Sequence, residues 1–295
     1  MRDGRAQREV TLPRAIRGFV SGRAVSASCG ALLAFTAGTV LSAILQRHLL
    51  EAPQSAQRLV EFNVGEAFGF AASLSLILAD SSRRVSLTGP DIAVLLLAAL
   101  AWFVPEHHGV YLATTLAGAW FLLGGRTDRR RADLGQIWLA LSIYELWAKL
   151  IFKVAYQMIE VIEVGLIYRI GRLFYGRLGI AGASLNVRDD WSIVILEGCS
   201  SFHNLSLTGL IWLSILKIAE RAVGPAAFRA LGVSACAVVA INIGRILAML
   251  PSREAYQFWH DGAGSSLVAL GSVAAAILPI LVCVERDACR LSPRT

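Results

Sequence analysis

Charge is scarce in this chain. Asp, Glu, Lys and Arg make up 17% of its 295 residues, against 56% apolar, and the mean hydropathy is +0.59. A soluble domain is nearer a quarter charged. That shortfall, with long apolar runs, excludes a soluble globular enzyme, a disordered chain and a fibrous protein, and leaves a polytopic membrane protein. The cysteines (Cys29, Cys199, Cys236, Cys283, Cys289) are odd in number and scattered without a CxxC pair. Neither a disulfide framework nor a metal site is expected from them. Zinc-finger spacing, a phosphate-binding glycine loop and aromatic-interleaved basic runs are missing too. The formal charge of +7 is therefore expected to orient the chain in a membrane, with no nucleic-acid partner. Internal repeats and low-complexity segments are absent. No cleavable leader is expected, because the first apolar run begins only near residue 24 and is long enough to stay as a span.

What is present is a series of eight apolar segments, at about 24–45, 64–80, 89–104, 110–125, 134–153, 199–219, 230–250 and 265–284. Most meet the roughly 17–25 residues that a tilted membrane helix needs. The third is short. Its clean core from Asp91 to Val104 also fits a re-entrant or buried helix. Frequent Gly and Ala imply close helix approach in a compact bundle. Arginines set the expected topology. An N-terminal tail with Arg2, Arg5, Arg8, Arg14, Arg17 and Arg23, the turns with Arg83, Arg84, Arg126 and Arg129–Arg131, the turn with Lys217, Arg221 and Arg229, and the C-terminal tail all fall on one side. The positive-inside bias makes that side cytoplasmic, with both termini inside.

Residues 154–198 break the helix-loop-helix pattern on the outer side. Val154 to Tyr175 mixes aliphatics with Glu160, Glu163, Arg169 and Arg172 and reads as an amphipathic helix, extending span five or lying on the surface. Gly176 to Gly182 reads as a breaker. Two β-prone runs flank Asp189-Asp190 and predict a hairpin. The expectation is thus one all-α integral membrane domain over residues 1–295. It is a bundle of about eight spans with a small extracytoplasmic amphipathic helix and hairpin before span six, a basic tail at 1–23 and a second tail at 285–295.

This topology gathers chemistry at one face. Cys199 opens span six from outside, Arg245 lies in the outer third of span seven, and His260 lies in the outer turn before span eight. A thiolate attacks carbonyls, a histidine moves the proton and an arginine stabilises an oxyanion; together they suffice for acyl transfer through a thioester. Ser200 or Ser201 is placed to cap the helix whose N-terminus lowers the thiol pKa. Asn242 sits one turn before Arg245 on the same face. His203, four residues after Cys199, rivals His260 as the base, and spacing alone does not choose between them. Glu145 and Lys149 form an i, i+4 pair lining the bundle interior, with Lys153 on the same face. Glu106, His107 and His108 read as a solvated turn before a metal site.

The order Glu197-Gly198-Cys199-Ser200-Ser201, Asn242-Ile243-Gly244-Arg245 and His260-Asp261-Gly262, each at the outer end of one of the last three spans, resembles the exosortase/archaeosortase family. The resemblance is specific over roughly residues 180–265. Many members have Cys-Ser-Gly where this chain has Cys199-Ser200-Ser201. The resemblance implies a cysteine protease/transpeptidase of the inner membrane with Cys199, Arg245 and His260 as its catalytic set and no cofactor. It would cleave exported proteins at a C-terminal signal made of a short motif, a transmembrane helix and a basic tail. The alternative from a different class is a non-enzymatic transporter or a scaffold subunit of an envelope export system.

Overall fold

A computed structural model describes residues 27–50, 63–79, 85–106, 108–124, 128–188, 190–195 and 200–291. The basic N-terminal tail, Cys199 and His107 lie outside the described residues. The chain is predominantly helical, with one small antiparallel sheet. In order it forms α1 (Ala27–Leu50), α2 (Val64–Ile77), α3 (Gly89–Ala99), α4 (Leu112–Gly124) and α5 (Arg129–Ser142). A π-helical turn (Ile143–Trp147) joins α5 to α6 (Ala148–Gly171). The sheet follows as β1 (Gly179–Ala181), β2 (Ser184–Arg188) and β3 (Trp191–Val194), then α7 (Ser201–Ile218), α8 (Pro225–Met249), α9 (Arg253–His260) and α10 (Ala263–Leu291).

Short polar residues start these helices. Asn63 Oδ1 accepts from the Glu66 amide at 3.1 Å, Asp128 accepts from the Arg130 and Arg131 amides, and Ser252 caps α9 through Ala255. Each satisfies a donor that the first helical turn leaves without a backbone partner. Thr88 and Asp91 close a reciprocal box at α3, with a proline in its first turn.

Every apolar segment read from the sequence is helical, but crossing length is met by fewer. Among the described residues three stretches, Ala27–Arg47, Pro225–Met249 and Ala263–Arg286, are long and apolar enough to cross a membrane. The count of eight is therefore not carried by helix length. The 14 residues of α2 rise only about 21 Å, short of a hydrocarbon core of roughly 30 Å. Large apolar side chains nevertheless face outward along many helices, such as Phe103 at 81% and Val154 at 86% exposure. That surface suits lipid as solvent.

Helices α4 and α5 approach backbone to backbone. A Cβ on Gly118 would lie 2.9 Å from the Gly135 carbonyl, and one on Gly135 would lie 2.8 Å from the Gly118 carbonyl. Only hydrogen fits at both positions. Beside this contact lies a core with Phe35 from α1, Leu76 from α2, Phe121 from α4, and Leu134 and Trp138 from α5. A second apolar core joins α7, α8 and α10 through Ile211, Trp212, Val238 and Ile280.

The 154–198 insertion follows expectation in part. The hairpin is β2 against β3, pairing Leu185 with Ile193 and Asn186 with Ser192. The amphipathic helix is the continuation of the span-five helix beyond the π turn. The breaker reading of 176–182 is corrected, since Gly179–Ala181 pairs with β2 as a third strand. Gly182, with φ +59°, makes the turn between them. The turn expected before the last apolar segment is likewise corrected to a helix, α9, capped by Ser252. The sheet buries Leu185 and Ile193 against Val164 and Ile167 of α6 and Ile243 and Ile246 of α8. It is thereby seated between α6 and α8.

Candidate functional site

One end of the bundle collects polar residues from six elements. They surround a cavity of about 520 Å³ lined by Arg47, Asn63, His108, Tyr144, Glu145, Lys149, His203, Asn204 and Arg245, with an apolar wall from α7, α8 and α10. Arg47 lies near the end of α1, Asn63 begins α2, His203 lies in the first turn of α7, and Arg245 lies in the last turns of α8. The polar lining is thus gathered from positions far apart along the chain.

Two buried carboxylates organise the cavity rim. Glu145 is 1% exposed and Glu66 is 6% exposed. A buried carboxylate needs a paired cation or several donors to offset its lost hydration. Glu66 receives Arg47 at 2.7 Å and the Tyr111 hydroxyl. Glu145 receives Lys149 at 3.1 Å and the Asn63 amide. His108 lies 3.2 Å from Lys149 Nζ. The Glu145–Lys149 pair expected from spacing is thus formed, and it faces the cavity. The π turn carries Tyr144 and Glu145, and the Ala148 amide bonds back to the Ile143 carbonyl. Such turns widen a helix locally and are frequent at functional sites. Among the described residues, no three potential metal-ligating side chains come together.

The start of α7 is held from two sides. Ser200 is its cap, accepting from the Phe202 amide at 3.1 Å. The Ser201 amide donates to Glu163 of α6, and Asn242 Nδ2 of α8 donates to Ser201 Oγ at 2.9 Å. Cys199 precedes this capped, doubly tethered segment in the sequence and lies outside the described residues. Spacing left the cap open between Ser200 and Ser201, and the structure gives it to Ser200; Asn242, read from spacing as a partner of Arg245, bonds Ser201 instead. Glu163 was legible only as one charge of an amphipathic helix. Its contact with Ser201 crosses 38 residues, so no local pattern announced it. Arg47 and Asn63 were missed for the same reason, since each reads as an ordinary polar residue at a span end.

Arg245 does not snorkel away from the protein. It lines the cavity and donates Nε to the Trp259 carbonyl at 3.0 Å, and among the described residues no carboxylate pairs with it. This bond brings α8 to the residue preceding His260. His260 itself stacks on Tyr256 with ring centres 4.7 Å apart, and its Nδ1 lies 2.8 Å from Asp261 Oδ1. Adjacent residues at a helix C-terminus do face each other here, because Asp261 has already left the helix. His203 instead lines the cavity and stacks on Tyr144 at 4.8 Å. Both histidines therefore sit at this end of the bundle, His203 in the cavity wall and His260 on the short helix beside it. No protein-family model matches the chain, and no curated protein or solved structure does; the family resemblance rests on the residues named above.

Proposed function

We propose that this protein is a membrane-embedded cysteine peptidase or transpeptidase working at the cavity end of the bundle. The observation that carries the reading is the tether between Asn242 and Ser201. It fixes the residue two after Cys199 to the helix that also presents Arg245. In the proposed reaction the Cys199 thiolate attacks a substrate carbonyl and forms an S–C bond. Arg245 stabilises the developing oxyanion with guanidinium donors that Trp259 does not use. The C–N bond breaks, and protonated His260 gives its proton to the leaving amine. Water or an amine then releases the acyl group. Asn242 and Glu163 are positioning residues. The substrate class, exported proteins with a C-terminal motif, one membrane helix and a basic tail, comes from the family resemblance.

The same proposal places all eight helical segments in the inner membrane with both termini cytoplasmic. It is supported by the end opposite the cavity. There Arg130 meets Glu220 at 2.7 Å, Lys217 and Arg129 share Asp133, Arg131 pairs with Asp91, and Arg221 and Arg229 lie in the turn from α7 to α8 and the first turns of α8. Lys and Arg outnumber the carboxylates at this end, and an excess of Lys and Arg in short turns is what the positive-inside bias reads.

The test is Cys199→Ala in the native host, with the C-terminal peptides of exported single-pass proteins read by mass spectrometry. Retention of basic C-terminal tails only in the variant is the expected result. Unchanged C-termini at normal abundance of the variant would sink the enzyme reading. A solute transporter is the second reading, favoured by the three cations Arg47, Lys149 and Arg245 around the cavity. It requires solute flux that survives Cys199→Ala.

A further inference from the structure

The basic end holds a second cavity, of about 640 Å³, between the start of α8 and the last turns of α10. Its floor and walls are apolar: Ala230, Val233, Leu278 and Val282, with the latter three more than 45% or at 45% exposed at the rim. Two guanidiniums, Arg229 and Arg286, line the same groove, and neither has a carboxylate partner among the described residues. A third positive element adjoins them. The N-terminus of α8 begins at Gly224 with no side-chain cap, Pro225 has no amide hydrogen, and Ala226 lines the groove. The first-turn amides of a long, uncapped helix carry partial positive charge and suit a phosphate.

We propose that this groove binds one anionic phospholipid of the inner leaflet. The phosphate lies between Arg229, Arg286 and the α8 N-terminus, and one acyl chain lies along Val233 and Leu278. Charge complementarity selects the occupant. Two unpaired arginines at one mouth of an otherwise apolar groove fit a ligand with a single anionic head and an aliphatic body. A soluble anion leaves the apolar walls unused, and a second apolar helix leaves both arginines unpaired in lipid. Basic pockets between membrane helices on the cytoplasmic side take anionic headgroups for this reason. The inference rests on the membrane-spanning reading and not on the thiol chemistry, so its failure leaves the Cys199 test untouched.

The experiment uses the full chain purified in detergent, with dioleoyl phosphatidylglycerol and dioleoyl phosphatidylcholine as probes. Native mass spectrometry reads lipid retention, and thermal unfolding reads stabilisation. Wild type is expected to retain one phosphatidylglycerol and to melt higher with it than with phosphatidylcholine. Each arginine near an anionic head contributes about fivefold in affinity, so R229Q/R286Q binds phosphatidylglycerol about thirtyfold more weakly. R229K/R286K keeps the charges and retains the lipid, which separates loss of binding from loss of fold. V233W fills the groove and loses the lipid with both arginines in place. Equal retention of the two lipids overturns the proposal. So does wild-type retention in R229Q/R286Q, or an equal melting shift from glycerol phosphate alone.

Discussion

Asn242 is 3% exposed, and its amide spans two helices to reach Ser201. Asn242→Ala leaves a buried hydroxyl without its donor and is expected to cost about 1–3 kcal/mol, measurable by denaturation in detergent. Arg245→Lys keeps charge but removes the planar fork. If Arg245 holds an oxyanion, single-turnover peptide cleavage falls about 10²–10³-fold while substrate binding changes little. An unchanged cleavage rate assigns Arg245 only to its bond with Trp259. His260→Ala and His203→Ala in the same assay separate the two histidines, and the larger loss is expected for His260. In the segment between α6 and β1, the Tyr175 hydroxyl donates to the Leu247 carbonyl at 2.9 Å, and burial pushes its phenol up. A folded-state pKa raised above the unfolded one gives stability that is present below the ordinary tyrosine range of about 10 and is lost as pH rises past it. Tyr175→Phe should therefore lower stability at pH 8 by about 1 kcal/mol and flatten the decline toward pH 11 in melting curves.

Among the elements, the α4–α5 crossing and the exposed part of α6 make opposite predictions for the same substitution. Gly118→Ala drives a methyl into the Gly135 carbonyl and is expected to destabilise by about 1–3 kcal/mol. A Cβ on Gly165 of α6 meets nothing within 4 Å. Gly165→Ala is expected to stabilise by about 0.5–1 kcal/mol, because alanine gives up less backbone freedom on folding. Thermal unfolding of the two variants side by side checks the packing. Composition announced small residues throughout the spans but did not say which of them touch. That depends on the crossing point of two helices, which no single helix contains.

Over the whole molecule, paired buried charges tie the cavity together. Arg47→Met leaves Glu66 with the Tyr111 hydroxyl and no cation, at an expected cost of about 3–5 kcal/mol. Arg47→Met with Glu66→Leu should recover much of that loss in melting experiments, since neither half of the pair is then left alone. The cations and carboxylates come from α1, α2, the π turn and α6, so the cavity closes only when all four are in place. Its rim is expected to lose order in Arg47→Met, read as faster amide exchange at residues 63–66.

Composition alone determined that the chain is helical and made for lipid, because so low a charge content and such long apolar runs have no soluble solution. Local pattern determined most helix positions, the β2–β3 hairpin, a serine cap at 200 or 201 and the Glu145–Lys149 pair, since each depends on contacts within a few residues. The strand β1 and the helix α9 escaped it. A three-residue strand exists only by pairing with β2, and α9 was hidden in an aromatic-rich turn whose Ser252 cap is its only strong signal. Tertiary structure alone decided that Glu163 and Asn242 meet at Ser201, that Arg245 turns to the Trp259 carbonyl, and that Arg229 and Arg286 share one groove. These contacts join residues tens of positions apart, and their energy depends on desolvation and distance, which are properties of the packed bundle and not of sequence order.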